Sequence, residues 1–251
     1  LGAMAQLHRL RVRSETLGEW QLVARYISPD YWAFLGQGQT HYQRPNNEMG
    51  LGLGLRPELG IRQLKVELEG DWYRSADIRR RDEIERGAYL RSVLRWADQA
   101  PLSALLRFSY RRSNQSPARL GLSLEAKHGA GGWRSNLRID LAKTNEVESR
   151  PWAYALSLRT HYQTSSSWRL WGAVAYHRVQ DWSARLYYAE PRLSEQYTST
   201  FLYGQGWRLS LGATGALSRR WSIGLRYVQH QLRAPRPSRR ELSAQLIYVS
   251  R

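Results

Sequence analysis

Cysteine is absent, so neither a disulfide framework nor a thiolate metal site can form. Phenylalanine and methionine are scarce, with three and two residues. No stretch approaches the roughly 20 consecutive apolar residues that a membrane helix requires, and the mean hydropathy is −0.61. That absence leaves membrane strands open, because each needs only about 9–11 residues, half of them polar. Acidic residues are in deficit, with 21 Asp and Glu against 38 Lys and Arg and a formal charge of +17. The imbalance points to a basic solvated surface or to an anionic partner, nucleic acid or anionic lipid. No signal peptide opens the chain, so an exported protein would have lost it or would carry it on a longer precursor.

What is present is alternation. From Trp133 every second residue reads Trp133, Ser135, Leu137, Ile139 and Leu141, against Arg134, Asn136, Arg138 and Asp140. From Trp152 the pattern repeats as Trp152, Tyr154, Leu156 and Leu158, against Ala153, Ala155, Ser157 and Arg159. A period of two describes extended strands with one apolar and one polar face. Thirteen such segments are expected, near 5–13, 18–27, 48–56, 62–74, 86–97, 101–112, 117–128, 132–143, 151–163, 167–189, 205–215, 219–230 and 240–250. The charged stretch from Ser75 to Glu85 lacks an apolar stripe and reads as a loop. The segment 167–189 is long for one strand; it either protrudes or turns near Val179 to Asp181. Short and long connections alternate, as expected of an antiparallel up-and-down barrel with tight turns on one side of a membrane.

These features predict an all-β fold, a transmembrane antiparallel up-and-down β-barrel with about 13–14 strands, forming a single domain over 1–251 or the C-terminal portion of a larger barrel. Eleven Trp and fifteen Tyr suit a membrane–water boundary. Trp72, Trp96, Trp133, Trp152, Trp168, Trp207, Trp221, Tyr227 and Tyr248 would form the aromatic girdles. The opposite face would line a lumen. Its basic residues would be Arg91, Arg95, Arg107, Arg111, Arg119, Arg134, Arg138, Arg159, Arg169, Arg208 and Arg226, joined by Arg9, Arg11, Arg13, Arg25, Lys65 and Lys127. Its acidic residues would be Glu67, Glu69, Asp71, Glu125 and Asp140. The assignment cannot be reversed, because an Arg or Lys facing lipid at mid-membrane costs about 2–4 kcal/mol. Such a lumen either attracts anions or is braced by its own ion pairs, with Glu67, Glu69 and Asp71 reaching Arg91 and Arg95.

Chemistry is harder to find. The six histidines lie on different segments, without metal-site spacing. Gly50, Gly52 and Gly54 alternate at strand period and lack the Lys-Ser/Thr of a phosphate loop, so they are expected to admit a neighbouring side chain. Asp30, Glu48 and Glu190 could form an outer carboxylate group, but no nucleophile or acid–base set accompanies them. No enzyme activity, cofactor or metal is expected.

Several stretches carry a resemblance: Gly2-Ala3-Met4-Ala5-Gln6-Leu7 leading to Leu10-Arg11-Val12-Arg13, Arg25 to Ala33, Asn47 to Pro57, Arg185 to Pro191, and Phe201 to Arg208. In order and spacing the chain resembles the C-terminal outer-membrane barrel region of Bacteroidota proteins that carry a helix-hairpin-helix module similar to competence DNA receptors. The resemblance implies the bacterial outer membrane, contact with lipid bilayer and lipopolysaccharide, other outer-membrane or periplasmic subunits, and nucleic acid as a candidate partner. The expected role is a non-enzymatic pore or scaffold subunit with a basic lumen. The alternatives are a DNA-uptake channel and a soluble all-β carbohydrate-binding domain.

Overall fold

The computed structural model describes residues 4–28, 48–75, 84–97, 101–145, 151–164, 168–189, 193, 199–218, 220–233 and 238–248. Among them there is no helix. Thirteen strands form one antiparallel sheet: β1 (Ala5–Ser14), β2 (Gly18–Ile27), β3 (Glu48–Arg56), β4 (Leu64–Ser75), β5 (Arg86–Trp96), β6 (Leu102–Ser113), β7 (Arg119–Ala130), β8 (Trp133–Thr144), β9 (Ala153–Gln163), β10 (Arg169–Val179), β13 (Gly204–Ala216), β14 (Trp221–Leu232) and β15 (Arg239–Tyr248). The remaining two, β11 (Leu186–Ala189) and β12 (Ser199–Leu202), pair only with each other. The sheet runs up and down in chain order, so each strand lies beside its sequence neighbour apart from the step from β10 to β13. β1 and β15 end the order and are not paired with each other among the described residues.

The segment 167–189 is not one long strand: it turns at the expected place, beside Val179 to Asp181, but the strand beyond the turn does not pair back onto β10. β10 stops at Val179, and the chain leaves the sheet through a turn fixed by Asp181. The Asp181 carboxylate accepts hydrogen bonds from the Ser183 amide (3.0 Å) and hydroxyl (2.6 Å), and the Asp181 carbonyl accepts one from the Ala184 amide (3.2 Å). This local side-chain capture replaces the next rung of the ladder. The chain then forms the β11–β12 hairpin and returns as β13, which pairs with β10 from Arg169↔Thr214 to Val179↔Gly204. The alternation of strand direction is therefore kept by an inserted hairpin, not by one long strand.

By contact the chain divides into two compact units. The first comprises Leu1–Trp96, Arg107–Leu120 and Thr144–Glu146, and the second Ala97–Leu106, Gly121–Lys143 and Val147–Arg251. In the first, cross-strand register sets Leu22 opposite Leu53 and Leu51 opposite Trp72, and these side chains are exposed. In the second, Leu137 faces Leu158 and Ile139 faces Leu156, again exposed. Each unit thus turns a leucine- and tryptophan-rich face outward and keeps its other face for charged or small residues.

Candidate functional site

In the first unit the charged face centres on Arg25. Its guanidinium grips Asp71 with two parallel bonds of 2.8 Å and donates through Nε to Glu48 at 2.5 Å. Arg25 is 7% exposed and Glu48 0%. Register explains the convergence. Arg25 stands opposite Gly50, and Gly52 stands opposite Asp71, so Asp71 reaches the cation across the glycines of β3, while Glu48 meets it from the start of β3 itself. A Cβ on Gly50 would lie 2.5 Å from the Arg25 Cζ, which gives the alternating glycines of β3 their physical role as the bed of the guanidinium. The ladder continues with Arg95 to Glu67 at 2.6 Å and Arg91 to Glu69 at 3.2 Å. Of the three carboxylates expected to pair with Arg91 and Arg95, Glu67 and Glu69 do so. Asp71 belongs to Arg25, because its fork faces the gap above Gly52.

Glu48, which the sequence could group with other outer carboxylates, is buried here against Arg25. Its partners in that reading, Asp30 and Glu190, lie outside the described residues. Of the remaining basic positions in this unit, Arg107 and Arg119 are half-buried and Arg111 is exposed.

The second unit carries a different face. Register puts Arg134 opposite His161, Asn136 opposite Arg159, and Arg138 opposite Ser157. Arg159 in turn faces Ala173, Ala175 faces Arg208, Arg208 faces His230, and Gly212 faces Arg226. Five of the expected basic residues thus share one face. Arg169 joins it beside Gln163, to which its Nε donates at 3.2 Å. The carboxylates here are few and engaged: Asp140 holds Arg138 at 2.7 Å, and Glu125 accepts from Asn136 and lies 3.4 Å from Lys127. At the end of β7–β9 nearest the Gly131–Gly132 turn, a cleft of about 580 Å³ is lined by Lys127, His128, Arg134, Arg159 and His161, among others, with no Asp or Glu among its described lining residues.

At the opposite end of the same strands the face is made of alanine. Ala142, Ala153, Ala155, Ala173 and Ala175 form a floor on which Ala184, Leu186, Tyr188 and Leu202 of the inserted hairpin are buried. Small side chains on three neighbouring strands leave a groove as deep as one layer of side chains, and the hairpin fills it. On its other side the hairpin overhangs β13–β15, bounding a half-open chamber of about 480 Å³. Trp182, Phe201 and Tyr203 form one wall, and Arg208, Arg226, His230, Arg239 and Glu241 the other. Arg226 is 3% exposed, with Glu241 at 3.6 Å. His177, on the strand behind, brings its ring to 5.4 Å from that of His230. Sequence spacing could not show this pairing, since 53 positions and an inserted hairpin separate the two. Among the described residues no group of three or more His, Asp and Glu has the geometry to hold a metal ion.

The expected girdle residues Trp72, Trp96, Trp133, Trp152, Trp168, Trp207, Trp221 and Tyr248 are exposed, and Tyr227 is half-buried, donating its hydroxyl to Gln229 at 3.0 Å. Several sit in aromatic pairs: Trp133 on Tyr162 (4.5 Å), Trp207 on Tyr176 (4.7 Å) and Trp221 on Tyr248 (4.9 Å).

No protein-family profile matches the chain, and no curated protein does. Among solved structures, one described as a bacterial polysaccharide outer membrane secretin is similar at a TM-score of 0.43 and 10% identity, over 98% of this chain and 80% of that one.

Proposed function

We propose that the chain is a non-enzymatic β-barrel protein of the bacterial outer membrane, or a portion of one, acting as a pore or scaffold subunit of an envelope complex. The observation that carries this reading is the division of each unit into two chemically opposite faces. Leucine and tryptophan stand exposed along one face, while the arginine, glutamate and aspartate positions lie along the other. In water, an exposed face this apolar along successive strands is a liability. In a bilayer it is the required surface, with aromatic rings placed to meet the headgroups. A soluble carbohydrate-binding sandwich would bury that face. Barrel closure, by β1 and β15 or by further strands, is part of the proposal.

The test is fractionation followed by electrophoresis of the folded chain in detergent. A membrane barrel partitions with outer membranes and migrates faster unheated than boiled. A chain that stays monomeric in buffer without detergent would overturn the reading. A species that forms only with a co-purifying polypeptide would identify it as one part of a shared barrel.

The basic cleft beside the Gly131–Gly132 turn supports a second reading, passage of an anionic polymer such as a DNA strand, since phosphate contacts dominate such affinity. Charge reversal at Arg134 and Arg159 would abolish uptake on this reading. Unchanged uptake would leave only the pore or scaffold role.

A further inference from the structure

We infer that the chamber beneath the β11–β12 hairpin is a binding site for an acidic sugar, a pyranose ring bearing a carboxylate or phosphate. The inference concerns the folded chain and holds whether or not that chain lies in a bilayer.

Three features of the chamber converge. First, three arginines, Arg208, Arg226 and Arg239, and one carboxylate, Glu241, are among its described lining residues. A guanidinium offers a planar fork of donors that matches carboxylate and phosphate alike. Second, the facing wall is aromatic but not a slot for a flat base. Trp182 meets Phe201 at 84° and Tyr203 at 76°, with ring centroids 4.7 and 5.4 Å apart. Edge-on rings present single faces at right angles, which suit the axial C–H surface of a saturated ring and offer no parallel pair to sandwich a nucleobase. Trp182 and Phe201 are exposed where they line the chamber. Third, a neutral hydrogen-bonding atom lies on the basic side: His230 Nε2 is shielded from solvent and has no hydrogen-bond partner among the described residues, and Thr200 also lines the space. A buried ring nitrogen without a partner calls for one, and sugar hydroxyls can donate to it or accept from it. The volume lies within the range of small-molecule sites, about 300–1,000 Å³.

The experiment is calorimetric titration of the full chain, in detergent or in buffer according to where it folds, with trigalacturonate, glucose 1-phosphate, maltotriose and AMP. Fold is checked beforehand by circular dichroism. The expected result is binding of trigalacturonate, glucose 1-phosphate or both, which separates carboxylate from phosphate as the anchor, and none of neutral maltotriose. Trp182→Leu and Arg239→Gln are exposed substitutions that leave the sheet intact, and each should weaken binding at least 10-fold. Failure of both acidic sugars to bind, binding of AMP in their place, or affinity unchanged in both variants would overturn the inference. None of these outcomes touches the membrane reading, which fractionation decides.

Discussion

The β2–β4 region and the β8–β10 region solve one problem in two ways. Both must fill the space over the non-apolar face of a sheet. β2–β4 fills it with opposite charges: Arg25 spans the glycines of β3 to Asp71 and binds Glu48 at the start of that strand. β8–β10 fills it with backbone, laying a hairpin on alanines. The first solution is rigid, because each partner is left costly to desolvate without the other. The second is modular, because the floor and the hairpin are separate pieces joined by apolar contact. A brace and a seated insert have different consequences when damaged, which makes the contrast measurable.

The largest effect is expected at the brace. Arg25→Met removes the guanidinium from Glu48, which is 0% exposed, and from Asp71, and loss of one partner from a buried ion pair costs about 3–5 kcal/mol. Denaturant unfolding in detergent should show a lower midpoint for the entire transition. A shift no larger than that of a surface variant would mean the pair is not structural. At the seat, Ala175→Leu adds a branched side chain at a position of 0% exposure, and overpacking of this kind costs about 1–3 kcal/mol. Here the expected readout is local: protease cleavage appears between 180 and 203 while the β spectrum is kept. Global unfolding would show that hairpin and sheet form one cooperative piece, and the contrast would collapse. The smallest effect belongs to Arg91→Ala. Its pair with Glu69 is part-exposed on both sides, and such pairs contribute about 0–1 kcal/mol. A loss comparable to that of Arg25→Met would mean that the ladder acts as a network.

Much of this was legible in the chain. Thirteen segments with a period of two become the thirteen strands of the sheet, because alternation follows directly from the pleat. The bracing of Glu67 and Glu69 by Arg95 and Arg91 could be anticipated, since β4 and β5 are consecutive and their register follows from the hydrophobic pattern. The Arg25–Glu48 contact could not. Glu48 follows a long connection, and only the register of β2 on β3 shows that the two side chains meet. The hairpin was hidden for another reason. Leu186, Tyr187 and Tyr188 continue the alternation of β10, and a period of two does not say which sheet a strand joins. The signal was local and chemical: Asp181 followed two residues later by Ser183, a side-chain turn that ends a strand regardless of what the pattern does beyond it.

The alanine floor also sets an order of events. Its members come from β8, β9 and β10, so the groove does not exist until those three strands are paired in register. The hairpin, although synthesised immediately after β10, has nowhere to bury Leu186, Tyr188 and Leu202 before then. Seating the hairpin on a complete floor therefore depends on that register: a sheet mis-registered by one residue would offer Tyr154 and Leu156 where Ala153 and Ala155 should be.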